Sequence, residues 1–237
     1  MKKILSLTYA FLFIASVQAL AQEKPKSFIG LSGGISLPMG NFTKTDYTDP
    51  SSGFSSKTGL NFGLEGAKYL KGSNWGIGGS LSYATYNFKP NNLSAGFLDD
   101  FGVATAKVSA DSYRTLQILV GPYHSIPLGK LTADFKGLVG IMSATSPEIT
   151  TTLEDNPPFC QKSATATALS FQIGAGLRYS FNEKLGVSLR TDYFYGKPKF
   201  DLVNENRNNN VGRKIDSYNE SISGICATAG LFYQFTK

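Results

Sequence analysis

Eight stretches of this chain alternate large apolar residues with small or polar ones, and a period of two is the signature of a strand with one apolar face. They run roughly over 27–38, 58–70, 75–88, 112–128, 130–144, 165–181, 184–198 and 219–236. The connections between them alternate as well. "KGSN" at 71–74, "PLGK" at 127–130 and "FNEK" at 181–184 are tight turns, whereas 39–57, 89–111, 145–164 and 199–218 are long and polar. Short turns at one end and long loops at the other is the layout of a barrel that crosses an outer membrane.

Which face points inward decides what such a sheet can be, because a one-residue shift exchanges inside for outside. Leu169, Phe171, Ile173, Ala175, Leu177, Tyr179 and Phe181 alternate with Ser170, Gln172, Gly174, Gly176, Arg178 and Ser180, and the fifth and seventh stretches follow suit. An eight-stranded barrel is only wide enough for side chains to fill. Small residues and opposite charges suit that space, and rows of Leu, Phe and Tyr do not. The apolar face is therefore assigned to lipid. Glu65, Asp134 and Asp192 with Lys136, Arg178 and Arg190 then form a neutral charge network in the lumen. Trp75, Tyr83, Tyr179, Phe181, Tyr193, Tyr195, Tyr233 and Phe235 lie near strand ends on the apolar face, where aromatic girdles belong.

The opening "MKKILSLTYAFLFIASVQALAQ" has the basic pair Lys2-Lys3, an apolar run to about Val17 and the triplet Ala19-Leu20-Ala21. It predicts a signal peptide over 1–21 and a mature barrel domain over 22–237. No other apolar run reaches helical spanning length, so a membrane crossing must be made by strands. The formal charge of +6 is spread along the chain without a Lys/Arg cluster, which argues against nucleic acid. One histidine and two cysteines exclude a disulfide-dense scaffold and a zinc site built from several Cys and His.

The chain resembles the small outer-membrane β-barrel proteins common in the Bacteroidetes, the group that includes the PorT-like barrels. The likeness rests on "IGLSGGISLPMGNF" (Ile29 to Phe42), "LVGPYHSIPLG" (Leu119 to Gly129), "GAGLRYSF" (Gly174 to Phe181) and "AGLFYQF" (Ala229 to Phe235). It implies an eight-stranded, outer-membrane and usually non-enzymatic protein, on a scaffold that carries many roles.

The sequence offers such a barrel little catalytic chemistry. In one deacylase family a histidine and a serine two residues apart share a strand face; here Ser125 is the immediate neighbour of His124, so the two point to opposite faces. Cys160 in the third long loop and Cys226 on the last strand can pair in an oxidising export route or stay separate thiols. "VNENRNNN" (Val203 to Asn210) has one acid where a calcium loop needs several, and reads as a hydrated tip. Phe42, Tyr47, Phe54, Phe97 and Phe101 are candidate loop contacts, and equally ordinary loop packing. Leu231, Tyr233 and Phe235 in the closing strand resemble the signal by which barrel-insertion machinery recognises its clients.

The expectation is an all-β, eight-stranded antiparallel up-and-down transmembrane barrel in the outer membrane, with short periplasmic turns and long extracellular loops. Its role is structural or binding, in surface recognition, adhesion or assistance to secretion. No enzymatic activity, cofactor or metal is expected. The expected partners are outer-membrane lipid, the barrel-insertion machinery and an extracellular or periplasmic partner met through the loops. A soluble lipid-binding barrel is the alternative, and an envelope lipid A-modifying enzyme is third.

Overall fold

The structure, a computed structural model, describes residues 24–49, 51–55, 58–102, 104–154, 158–206 and 210–235; the expected signal peptide lies outside them. In chain order the elements are β1 (Ser27–Pro38), a 3-10 turn (Gly40–Thr43), β2 (Gly59–Tyr69), β3 (Trp75–Tyr86), helix α1 (Pro90–Phe101), β4 (Ala106–Ala110), β5 (Tyr113–Leu128), β6 (Leu131–Thr145), β7 (Ile149–Leu153), β8 (Phe159–Gln161), β9 (Thr165–Ser180), β10 (Leu185–Gly196), β11 (Lys199–Asn206), β12 (Asn210–Asn219) and β13 (Ile222–Phe235).

Eight of the strands close into an antiparallel barrel in the order β1-β13-β10-β9-β6-β5-β3-β2. Closure is made by β13 lying along β1, from Ser27 opposite Phe235 to Pro38 opposite Gly224. No strand edge is then left open to lipid, which is the condition for a sheet to exist there. The tight turns need glycine where the chain reverses: Gly72 (φ 76°) between β2 and β3, and Gly129 (φ 65°) between β5 and β6.

The apolar face points outward, as alternation required. Leu169 is 84% exposed, Leu231 66% and Val139 63%, while Asn61, Gln117, Gln172 and Thr228 are buried on the inner face. The soluble lipid carrier is thereby ruled out in physical terms: its ligand chamber would need the Leu and Ile rows inside. In a bilayer the outward rows meet hydrocarbon, so Val139→Arg, near the middle of β6, is expected to destabilise the barrel by about 2–4 kcal/mol. Urea unfolding of the chain inserted in liposomes measures it.

The inner face holds more than small and charged residues. Phe28, Tyr69, Tyr123 and Phe232 pack in its periplasmic half with Leu119 and Leu138, and Tyr86, Tyr113, Met142 and Phe194 in its outer half. Glycine makes the room: a Cβ at Gly78 would sit 2.5 Å from the Tyr123 ring, and one at Gly186 would sit 2.4 Å from that of Phe232.

The long connections are not loose. Pro90 at the first turn and Gly102 in the left-handed region (φ 59°) bound α1. Beyond the rim, β4, β7, β8, β11 and β12 form a second sheet in the order β12-β11-β8-β7-β4. The expected hydrated tip at 203–210 is therefore corrected in part: β11 runs to Asn206 and β12 begins at Asn210.

Candidate functional site

The lumen contains the six charges read from the sequence, delivered from β2, β6, β9 and β10 by inward alternation. All six side chains are buried. They form two groups. Toward the periplasmic end Arg178 grips Asp134 with a two-pronged contact, Nε to Oδ2 at 2.5 Å and Nη2 to Oδ1 at 3.0 Å. The Ser125 hydroxyl donates to Asp134 at 2.5 Å, and Tyr69 lies 2.5 Å from that hydroxyl. The guanidinium lies 3.9 Å from the centroid of the Phe28 ring.

In the second group Glu65 bridges two cations, pairing with Lys136 through one oxygen and with Nη1 of Arg190 at 2.8 Å through the other. Lys136 also hydrogen bonds Oδ2 of Asp192 at 3.1 Å and stands 3.0 Å from Oδ1. Nε and Nη2 of Arg190 find no acceptor among the described residues. Adjoining this group, a polar chamber is lined by Asn61, Ser80, Ser82, Gln117, Gln172 and Thr228. Each acid thus faces a cation at contact distance, which offsets the desolvation that an unpaired charge would suffer here.

The outer mouth is closed by an aromatic cork. The 3-10 turn drives Phe42, 0% exposed, onto Tyr86 and Tyr113 with ring centroids 5.2 and 5.1 Å away. Of the two readings open to Phe42, surface contact or loop packing, its burial selects the packing. Tyr47, Phe97 and Phe54 are also engaged within the outer structure: Tyr47 on Phe97, Phe97 on Phe159 and Phe54 on Phe88. The side chain of Phe101 lies outside the described residues.

Of the two states open to the cysteines, the structure has the separate thiols: Cys160 and Cys226 are both free. Cys226 is buried in the barrel and donates to the Ser36 hydroxyl at 3.2 Å. Cys160 is held in the outer sheet, where β8 pairs with β7 and β11. Among the remaining sequence candidates, Ser125 is buried, while the His124 ring packs tilted against that of Trp75, its exposed cross-strand neighbour, with centroids 4.7 Å apart. Leu231, Tyr233 and Phe235 face outward, the last two with rings 5.3 Å apart. Among the described residues no cluster of metal-binding side chains occurs.

Glu220, between β12 and β13, carries no signal in the sequence that marks it as a functional residue. It is 1% exposed and its Oε1 has no hydrogen-bond partner among the described residues. Oε1 lies 2.8 Å from where a Cβ on Gly53 would stand, under the first long loop. Burial pushes its carboxyl up to about 8, with Tyr218 and Tyr113 as its titratable neighbours. The raised value means that the buried form is the neutral acid. Its contribution to loop docking is complete below the ordinary value of 4.5 and is lost as pH rises through about 8. Amide hydrogen exchange over residues 41–55, corrected for intrinsic rate, is expected to show weaker protection at pH 9 than at pH 6, and Glu220→Gln is expected to flatten that difference.

Residues 7–213 match the sequence profile of the outer membrane protein beta-barrel domain. The chain belongs to that family. It is an outer-membrane protein with a structural or binding role. Among solved structures, a major outer membrane protein from Thermus thermophilus aligns with a TM-score of 0.51 at 13% identity, covering 88% of this chain and 98% of that one. Neisserial surface protein A aligns at 0.45 with 10% identity, covering 88% and 97%. Ail, the attachment invasion locus protein of Yersinia pestis, aligns at 0.43 with 13% identity, covering 89% and 100%. At these identities the likeness is one of fold. No curated protein sequence matches the chain significantly.

Proposed function

We propose that this chain is a closed, non-catalytic barrel whose working surface is the folded platform at its outer end. The observation that carries the reading is the union of three long connections into one five-stranded sheet above the rim. A barrel needs only turns to close, so chain ordered at this length beyond the lipid is best explained by a surface partner, in recognition, adhesion or assistance to a secretion apparatus. The paired charges and the Phe42 cork act as a structural plug, not a conduction path. The absence of catalysis is supported by His124 and Ser125, which occupy opposite faces of β5. Leu231, Tyr233 and Phe235 serve the insertion machinery as the recognition end of the closing strand.

Two measurements test the reading. In planar bilayers the purified chain is expected to give no resolved conductance steps. Nanodisc-embedded barrel probed against glycan and matrix-protein arrays is expected to lose its signals when 146–164 and 197–219 are replaced by short turns. Survival of every signal in that trimmed, still heat-modifiable barrel would place binding elsewhere.

A further inference from the structure

The lipid-facing wall is not uniform. Where β2 and β3 run side by side, Gly66 is the direct partner of Gly79. Their outer neighbours across the sheet are Ile29 on β1 and Val120 on β5. Two adjacent strands therefore offer no side chain over three inter-strand spacings, roughly 14 Å. The result is a groove of about 720 Å3 walled by Ile29, Leu64, Leu81, Ile118 and Phe235.

Its two ends differ. One row toward the periplasm, Lys68 stands on the same outward face opposite Ile77, two residues from Trp75, whose ring on His124 marks the membrane boundary. Lys68 is exposed and has no acidic partner among the described residues. Toward the membrane centre the groove ends on Leu64 and Leu81. A hollow that is cationic at the lipid-water boundary and apolar inward has the profile of an amphiphile with an anionic head.

We propose that this groove is a binding site for one anionic glycerophospholipid of the periplasmic leaflet. The glycerol-proximal acyl segments lie over Gly66 and Gly79, and the phosphate lies beside the Lys68 ammonium. A second copy of the chain would have to bring both a ridge and an acid to the same place, which a lipid supplies by itself. The height of Lys68 fixes the leaflet, since the short turns mark the periplasmic end. Its charge sets the preference among headgroups.

Native mass spectrometry of the refolded full chain, equilibrated with equal phosphatidylglycerol and phosphatidylcholine, tests this. One retained phosphatidylglycerol is expected, favoured over phosphatidylcholine by about five-fold, the worth of one basic side chain at an anionic surface. Lys68→Gln is expected to equalise the two lipids. Gly79→Leu, which fills the floor, and Ile118→Trp, which narrows the groove from its wall, are expected to abolish retention of both. Heat-modifiable mobility establishes folding of each variant, and Ile118→Trp carries the test if Gly79→Leu does not fold. Equal retention of the two lipids by the unaltered chain, a preference that survives Lys68→Gln, retention in a folded groove-filling variant, or a dimer in place of the lipid adduct would overturn the proposal.

Discussion

Replacing Arg178 with alanine is expected to destabilise the barrel by about 3–5 kcal/mol, the loss seen when one member of a buried ion pair is removed. Arg178 is 2% exposed and satisfies both oxygens of Asp134, which no other cation contacts among the described residues. Truncation leaves that carboxylate facing only the Ser125 hydroxyl and also strips the guanidinium from the Phe28 ring. The double replacement Arg178→Met with Asp134→Leu removes both charges and is expected to recover most of the loss, because the uncompensated charge, not the missing contact, dominates it. Urea unfolding in liposomes followed by heat-modifiable mobility reads both variants. A loss under about 1 kcal/mol for the single variant would mean that Asp134 is hydrated or protonated there, and the plug role would fall.

Phe42→Ala should act at the opposite end with a similar size, about 3–5 kcal/mol, since it empties a site enclosed by aromatic rings. Phe42 is held by two backbone links within its loop, from Ser55 N to its own carbonyl at 2.9 Å and from Gly53 N to Asn41 O at 3.0 Å. The loop therefore has little freedom to collapse into the void. Residues 39–55 should become sensitive to protease while the wall strands stay protected. Conductance should nevertheless remain at baseline, because the Lys136, Glu65 and Arg190 contacts still close the lumen beneath. Conducting steps in this variant would show that the cork alone seals the barrel.

The two effects differ in how visible their causes were. Arg178 and Asp134 sit at alternating positions in long regular stretches, so their inward direction follows from local periodicity. Phe42 lies in a polar connection with no period, and nothing local distinguishes a buried ring there from an exposed one. The same holds for Glu220, whose carboxyl is neutralised by a loop more than 160 residues earlier in the chain. The outer sheet is hidden for a related reason, since its strands come from different connections, β8 pairing with β7 and β11, and β4, β7 and β8 have only five, five and three residues. Strands that short carry no readable alternation.

The sequence by itself determined the eight wall strands, the end at which the turns are short, the outward direction of the Leu and Ile rows and the six charges that turn inward. All of these follow from a period of two and from connection length, which are local quantities. Only the tertiary structure decided which charges pair, that aromatic rings share the lumen with them, that the two cysteines stay apart and that Phe42 closes the outer mouth. Those outcomes depend on which strand lies across the barrel from which. Closure into a cylinder sets that relation, and no stretch of chain contains it.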